Sequence, residues 1–132
     1  MNVVVRRMTL EDVPAVHEID LLSFSLPWPE RSFRFEMAEN PAARGWVAEA
    51  DGRIAAMLVL WFIVDEAHVA TIATHPEFRR QGIGEKIFLH ALREVEAEMQ
   101  DMSHRINDWI GVLMQSEVLR RKLDEFDDEH AK

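Results

Sequence analysis

The stretch Ile72-Ala73-Thr74-His75-Pro76-Glu77-Phe78-Arg79-Arg80-Gln81-Gly82-Ile83-Gly84-Glu85-Lys86 restricts this chain more than any other. A β-branched, apolar strand from Val69 to Thr74 runs through a short basic loop and opens a helix whose first positions are Gly82 and Gly84. Amides at the start of a helix lack partners and carry partial positive charge, and two glycines let a ligand's oxygens come close to that backbone. The arrangement suits a pyrophosphate. The backbone at Gly82, Ile83 and Gly84, where the helix starts, is therefore the part expected to meet it; the wider set Ile72, Ala73, Thr74, Arg79, Arg80 and Gln81 is assigned to a cofactor only by the resemblance described next.

Two common phosphate-binding patterns do not fit. In the dinucleotide pattern G-x-G-x-x-G a third glycine follows, whereas here Lys86 and Ile87 come after Gly84, and G-x-x-x-x-G-K-[ST] is absent. What remains is Arg79-x-x-Gly82-x-Gly84 directly after a strand ending Ile72-Ala73-Thr74-His75-Pro76. This resembles the acetyl-CoA signature of the GNAT acetyltransferase superfamily. The resemblance implies acetyl-CoA as co-substrate, an amine acceptor, and an α/β fold with a mixed sheet whose first four strands are mainly antiparallel. It also implies that amides near Ile72 and Thr74 hold the pantetheine and the thioester carbonyl.

The rest of the composition narrows the function further. At 132 residues the chain has the length of one domain, and 48% apolar residues fit a folded protein. The longest apolar run, Ile54 to Val64, is too short to span a bilayer, so a cytoplasmic protein without a membrane partner is expected. With no cysteine, disulfides, thiol nucleophiles and thiolate zinc sites are excluded. Six histidines show no metal-ligand spacing, and no metal is expected. A net charge of -9 argues against nucleic acid and favours a basic partner.

In chain order, Val3 to Arg7 reads as a first strand and Thr9 as the cap of a helix with Glu11 and Asp12 in its first turn. Leu10, Val13, Val16, Ile19 and Leu22, spaced by threes, are expected to form its buried stripe. Prolines on both sides of Trp28 hold an extended loop before a second helix from Arg31 to Glu39. The string Phe24, Pro27, Trp28, Phe33, Glu36 resembles the substrate-facing segment of the ribosomal-protein-alanine N-acetyltransferases, so Phe24, Pro27 and Trp28 are expected to face the acceptor, a protein N-terminus. Trp46 to Ala50 reads as a strand, Asp51-Gly52 as a two-residue hairpin turn and Arg53 to Val64 as the returning strand. Asp65-Glu66 makes the next reversal, and Ala67 to Thr74 is the fourth strand. The helix from Gly82 is expected to bury Ile83, Ile87, Phe88, Ala91, Leu92 and Val95.

The resemblance covers residues 3 to 96, giving a GNAT-like domain at 1–96 and a helical extension at 97–132. Family members continue with a fifth strand, a fourth helix and a closing hairpin, a region that supplies a glutamate base, an asparagine near the cofactor and a tyrosine that protonates the thiolate. The segment from Glu96 instead shows a helical stripe (Met99, Met102, Ile106, Trp109, Leu113), and the chain has no tyrosine. For the base, Glu66 or His68 is expected: they project from one face of the fourth strand, some superfamily members carry their catalytic carboxylate there, and imidazole accepts a proton readily near neutral pH. An uncovered strand edge invites pairing with the tail helix or a second copy, hence a possible homodimer. Three functions remain in play: an N-acetyltransferase, a catalytically incomplete relative that binds CoA or a protein through its tail, and a structural oligomer.

Overall fold

The computed structural model describes residues 1–63 and 66–101. Strand β1 (Val3–Arg7) leads through a 3₁₀ turn (Leu10–Asp12) into α1 (Val13–Ser23), and α2 is Glu30–Ala38. Three strands follow, β2 (Ala43–Ala50), β3 (Arg53–Ile63) and β4 (Glu66–Thr74), then a 3₁₀ turn (Pro76–Phe78) and α3 (Ile83–Asp101). The strands form one antiparallel sheet in the order β1-β2-β3-β4. The expected reversal at Asp65 and the helical stripe beyond Asp101 lie outside the described residues. Helix α3 itself runs through Glu96 without a break, and Met99 is buried in its core.

Each face of the sheet is covered. Helix α3 lays Ile83, Ile87, Phe88, Ala91, Leu92 and Val95 on Trp46, Ala48, Leu58 and Leu60, the stripe expected from its spacing. Helices α1 and α2 lay Val13, Val16, Ile19 and Phe33 on Val47, Met57, Val59 and Ala73. Each large side chain fully buried in this way contributes about 1.5–3 kcal/mol, which is what holds the helices to a sheet of alanine-rich strands.

Three expectations need correction. The stripe of α1 does not extend over five residues: Leu10 is 45% and Leu22 51% exposed. Leu10 falls in the 3₁₀ turn, and steps of three lag a helix of 3.6 residues per turn, so Leu22 lies about half a turn round from Val13. The helix proper starts at Val13 with Pro14 in its first turn, after Asp12 has accepted the Thr9 amide at 2.8 Å. Strand β2 starts at Ala43 rather than Trp46, because β3 is long enough to pair Ala43 with Trp61. Gly45 sits inside this strand for want of room: a Cβ there would lie 2.7 Å from the Met37 sulfur and 3.2 Å from Met8 Cβ.

Candidate active site

Strand β4 ends where the loop to α3 begins, and its hydrogen bonds fix which way its backbone points. His75 N–H donates to the Ala55 carbonyl at 2.7 Å, and Thr74, Ala73 and Ile72 lie opposite Ala56, Met57 and Leu58. Antiparallel pairs alternate between bonded and non-bonded, so the polar groups of Thr74 and Ile72 face away from β3. The Thr74 carbonyl is met from that outer side by Arg79 Nε at 3.0 Å, in agreement. Among the described residues no strand lies beyond β4.

The loop is held at both ends. Phe78 N–H donates to the His75 carbonyl at 2.8 Å and Glu77 N–H to His75 Nδ1 at 3.1 Å, which closes the turn after the strand. Arg79 reaches from the Thr74 carbonyl to Ser23 Oγ, 3.3 Å from Nη2, and so ties the loop to the end of α1. Arg80 and Gln81 are exposed. Arg80 and Gly82 both have positive φ, 64° and 76°. Only glycine adopts this conformation without strain, and an added Cβ at Gly82 would meet nothing within 4 Å, so glycine is required there by backbone geometry rather than by crowding. Lys86 N–H bonds to the Gly82 carbonyl at 3.0 Å, so the amides of Ile83 and Gly84 precede the helical ladder, while the Ile83 side chain is buried and pins them in place.

Further back along β4 a bulge changes the phase of the strand. Val59 pairs with Thr71 but Leu60 pairs with Val69, leaving Ala70 as an extra residue. Ala70 packs on the α1/α2 side and Val69 on the α3 side. Beyond it, His68 lies opposite Trp61 and Glu66 opposite Ile63, so both expected base residues share the Trp61 face. His68 Nε2 and Glu66 Oε2 are 2.8 Å apart, and both residues are exposed.

The proline-flanked loop arrives on that same face. Trp28 N–H donates to Asp20 Oδ2 at 2.7 Å, and Asp20, only 2% exposed, lies beneath it. Burial pushes the Asp20 carboxyl above its ordinary range, partly offset by this hydrogen bond. The Trp28 ring rests on Phe33, 5.1 Å between centroids, and lies parallel to Trp61 at 6.0 Å and 8°. Trp61 Nε1 donates to Glu36 Oε2 at 2.9 Å, and Asn40 Nδ2 donates to the same oxygen at 2.7 Å. Of the residues expected to face an acceptor, Trp28 stands in this half-buried aromatic group, Pro27 leads into it, and Phe24 packs against the α1/α2 core.

Asp20 and Trp61 were not expected as site residues, and Glu36, the last member of the string that begins at Phe24, was given no role of its own. Asp20 had a signal: it lies seven residues after Val13, within about 20° on a helical wheel, and so on the buried side. Trp61 had none, being one apolar residue in a continuous apolar run.

The chain matches the family model of the acetyltransferase (GNAT) family over residues 13–116. It is similar to a Bacillus subtilis (strain 168) protein provisionally named a ribosomal protein bS18-alanine N-acetyltransferase, 38% identical over 79% of this chain and 71% of that one. It is also similar to the ribosomal protein bS18-alanine N-acetyltransferase of Escherichia coli (strain K12), 29% identical over 64% of this chain and 56% of the relative. The crystal structure of the ribosomal-protein-S18-alanine N-acetyltransferase from Escherichia coli superposes with a TM-score of 0.67 at 26% identity, covering 74% of this chain and 61% of that one. The PaiA N-acetyltransferase of Thermoplasma acidophilum, in complex with coenzyme A, shares the fold, with a TM-score of 0.62 at 18% identity over 74% of each chain. The chain thus spans between about half and about seven-tenths of the length of these relatives.

Proposed function

Since the chain belongs to the GNAT acetyltransferase family, we propose that it moves an acetyl group from acetyl-CoA to an amine, and that the amine is the N-terminus of a protein such as a ribosomal protein. One observation carries the first half: the loop 79–84 holds the amides of Ile83 and Gly84 ahead of the helical ladder, next to a strand edge whose Ile72 and Thr74 groups face outward. Those elements fit a diphosphate and an extended pantetheine arm respectively. Phosphate oxygens take the amides at the helix start and the exposed Arg80 guanidinium, while Gly82, Gln81 and Ala73 shape the approach. Arg79 acts as the brace that keeps loop and strand in register. The second half is supported by the names of the relatives and by the Trp28 loop lying on the Glu66/His68 face.

Acetyl transfer forms a bond from the acceptor nitrogen to the thioester carbon and breaks the carbon–sulfur bond. The ammonium must lose one proton before attack, and the nitrogen sheds a second as the amide forms; the sulfur leaves as thiolate and takes up that second proton. His68, hydrogen-bonded to Glu66, takes that proton, and the carboxylate orients the ring and stabilises the imidazolium. Outward amides on β4 supply dipoles for the carbonyl oxygen.

Thermal unfolding with acetyl-CoA tests the reading. At a hundred times Kd the ligand stabilises by about 2.7 kcal/mol through mass action, and the melting temperature rises. Gly82→Val, which strains a positive-φ position by about 1–2 kcal/mol, keeps the fold and loses that rise. An unmoved melting temperature for the native chain at millimolar acetyl-CoA refutes the proposal. His68→Gln is expected to lower kcat by roughly 10²- to 10⁴-fold with acetyl-CoA binding retained.

A further inference from the structure

The parallel pair Trp28 and Trp61 is fixed from two sides. The Asp20 carboxylate holds the Trp28 backbone at 2.7 Å from α1, and the Glu36 carboxylate holds the Trp61 indole nitrogen at 2.9 Å from α2. Two indoles at van der Waals separation, roughly 3.5 Å between planes, must slide by roughly 5 Å to give the centroid distance seen, so they overlap only in part. Both rings are half-buried, and each therefore keeps some accessible surface. Trp61 is the cross-strand partner of His68. From Ile72 back to His68 the ladder advances three steps, Leu58 to Trp61 on β3, because Ala70 is extra; that is roughly 10 Å at the usual rise, and a tryptophan side chain shortens the gap. An extended peptide advances about 3.3–3.6 Å per residue. With its terminal amine at the outward β4 backbone, its second or third residue reaches the indoles.

We propose that Trp61, stacked with Trp28, is a specificity-determining residue that selects acceptors whose second or third side chain stacks on indole, namely an aromatic ring or an arginine. Asp20 and Glu36 are positioning residues that hold the wall rigid. Stacking groups gain from the π face beyond what plain apolar burial gives, and guanidinium lies flat where an ammonium does not. The inference rests on the acetyltransferase reading, whose failure would show separately as absence of acetyl-CoA binding.

The experiment measures kcat and KM, and binding by tryptophan fluorescence, for hexapeptides beginning with alanine. Positions two and three carry Phe, Leu, Arg or Lys, which compares ring with non-ring and planar with point cation at constant charge. Wild type is expected to favour Phe over Leu and Arg over Lys by roughly three- to tenfold, in KM more than in kcat. Trp61→Leu should remove both preferences while the acetyl-CoA melting shift persists, which also certifies that the variant folds, and Trp61→Phe should keep part of them. Glu36→Ala should weaken the preferences and the exciton signal of the two indoles in circular dichroism, and Glu36→Gln, which still offers an oxygen to Trp61, should restore both. Equal affinity for Phe and Leu peptides in wild type, no peptide binding by an acetyl-CoA-binding protein, or preferences unchanged in Trp61→Leu would overturn the proposal.

Discussion

The two faces of the sheet are packed with similar apolar side chains but treat polar groups differently. Under α3, carboxylates stay at the rim: Glu94 takes the Trp46 indole nitrogen at 3.0 Å and Glu98 the Arg44 guanidinium at 3.0 Å, and both are only partly covered. Under α1 and α2 two carboxylates are buried. Asp12 holds Arg6 through two bonds of 2.8 Å, and Asp20 holds the Trp28 amide. Apolar packing is tolerant of small shifts, whereas a buried carboxylate requires its partner at hydrogen-bond distance. The α3 face therefore serves as foundation, and the α1/α2 face positions a loop and two indoles with the accuracy that recognition needs.

Substitutions can break this contrast, and the largest effect is expected at the foundation. Phe88→Ala, deep under α3, should cost about 3–5 kcal/mol in urea unfolding yet leave the peptide preferences of the folded protein as they were. Altered preferences would mean that the two faces are not separable.

Next comes Asp12→Asn, expected to cost about 2 kcal/mol at neutral pH by loss of the paired, charge-assisted bonds to Arg6. The Arg6 hydrogen bonds hold this carboxyl below its ordinary 3.8. Its contribution is thus complete above that value and is lost as pH falls through the lower value of the folded state, so the curves of variant and wild type should converge in acid.

Asp20→Asn is smaller and of opposite sign with pH. Burial raises this carboxyl above its ordinary 3.8, so folding disfavours the ionised form. Wild type loses stability from this group as pH climbs from the unfolded to the folded value, and the loss persists above. Asparagine still offers an oxygen to the Trp28 amide without titrating. Paired urea curves between about pH 3 and 7 should show the variant gaining steadily on wild type as pH rises. A gap that narrows toward neutrality would contradict the assigned direction.

The smallest expected effect is at Arg34, paired with Glu30 at 3.1 Å on the exposed side of α2. Arg34→Ala should change stability by less than about 0.5 kcal/mol.

What was legible in the sequence divides along the same line. The α3 stripe follows from spacing alone, and the hairpin turn at Asp51-Gly52 appears with both residues at positive φ, as the dipeptide predicts. The glycine at 82 was readable as one of two glycines where a helix follows a strand, and its left-handed backbone, φ 76°, is a further reason for it that spacing does not reveal. The other face resisted for physical reasons. Asp20 falls on the buried side of α1 by its spacing from Val13, but the partner of a carboxylate there, the Trp28 amide, is not readable from spacing. Trp61 sits in an apolar run without alternation, so neither its face nor its partner Glu36, distant in sequence, could be assigned. The loss of Leu10 and Leu22 from the stripe came from counting threes where the helix turns every 3.6 residues.

The extra residue at Ala70 has a consequence for how this strand can change over generations. It is slack in the ladder: Val69, His68 and Glu66 already pair with Leu60, Trp61 and Ile63 as they would in a strand one residue shorter. Excising Ala70 would therefore leave an even ladder with Glu66 and His68 still on the side of the indoles. A single-codon deletion is absorbed at this one place on β4, whereas the same loss where the ladder is even turns every residue beyond it to the opposite face.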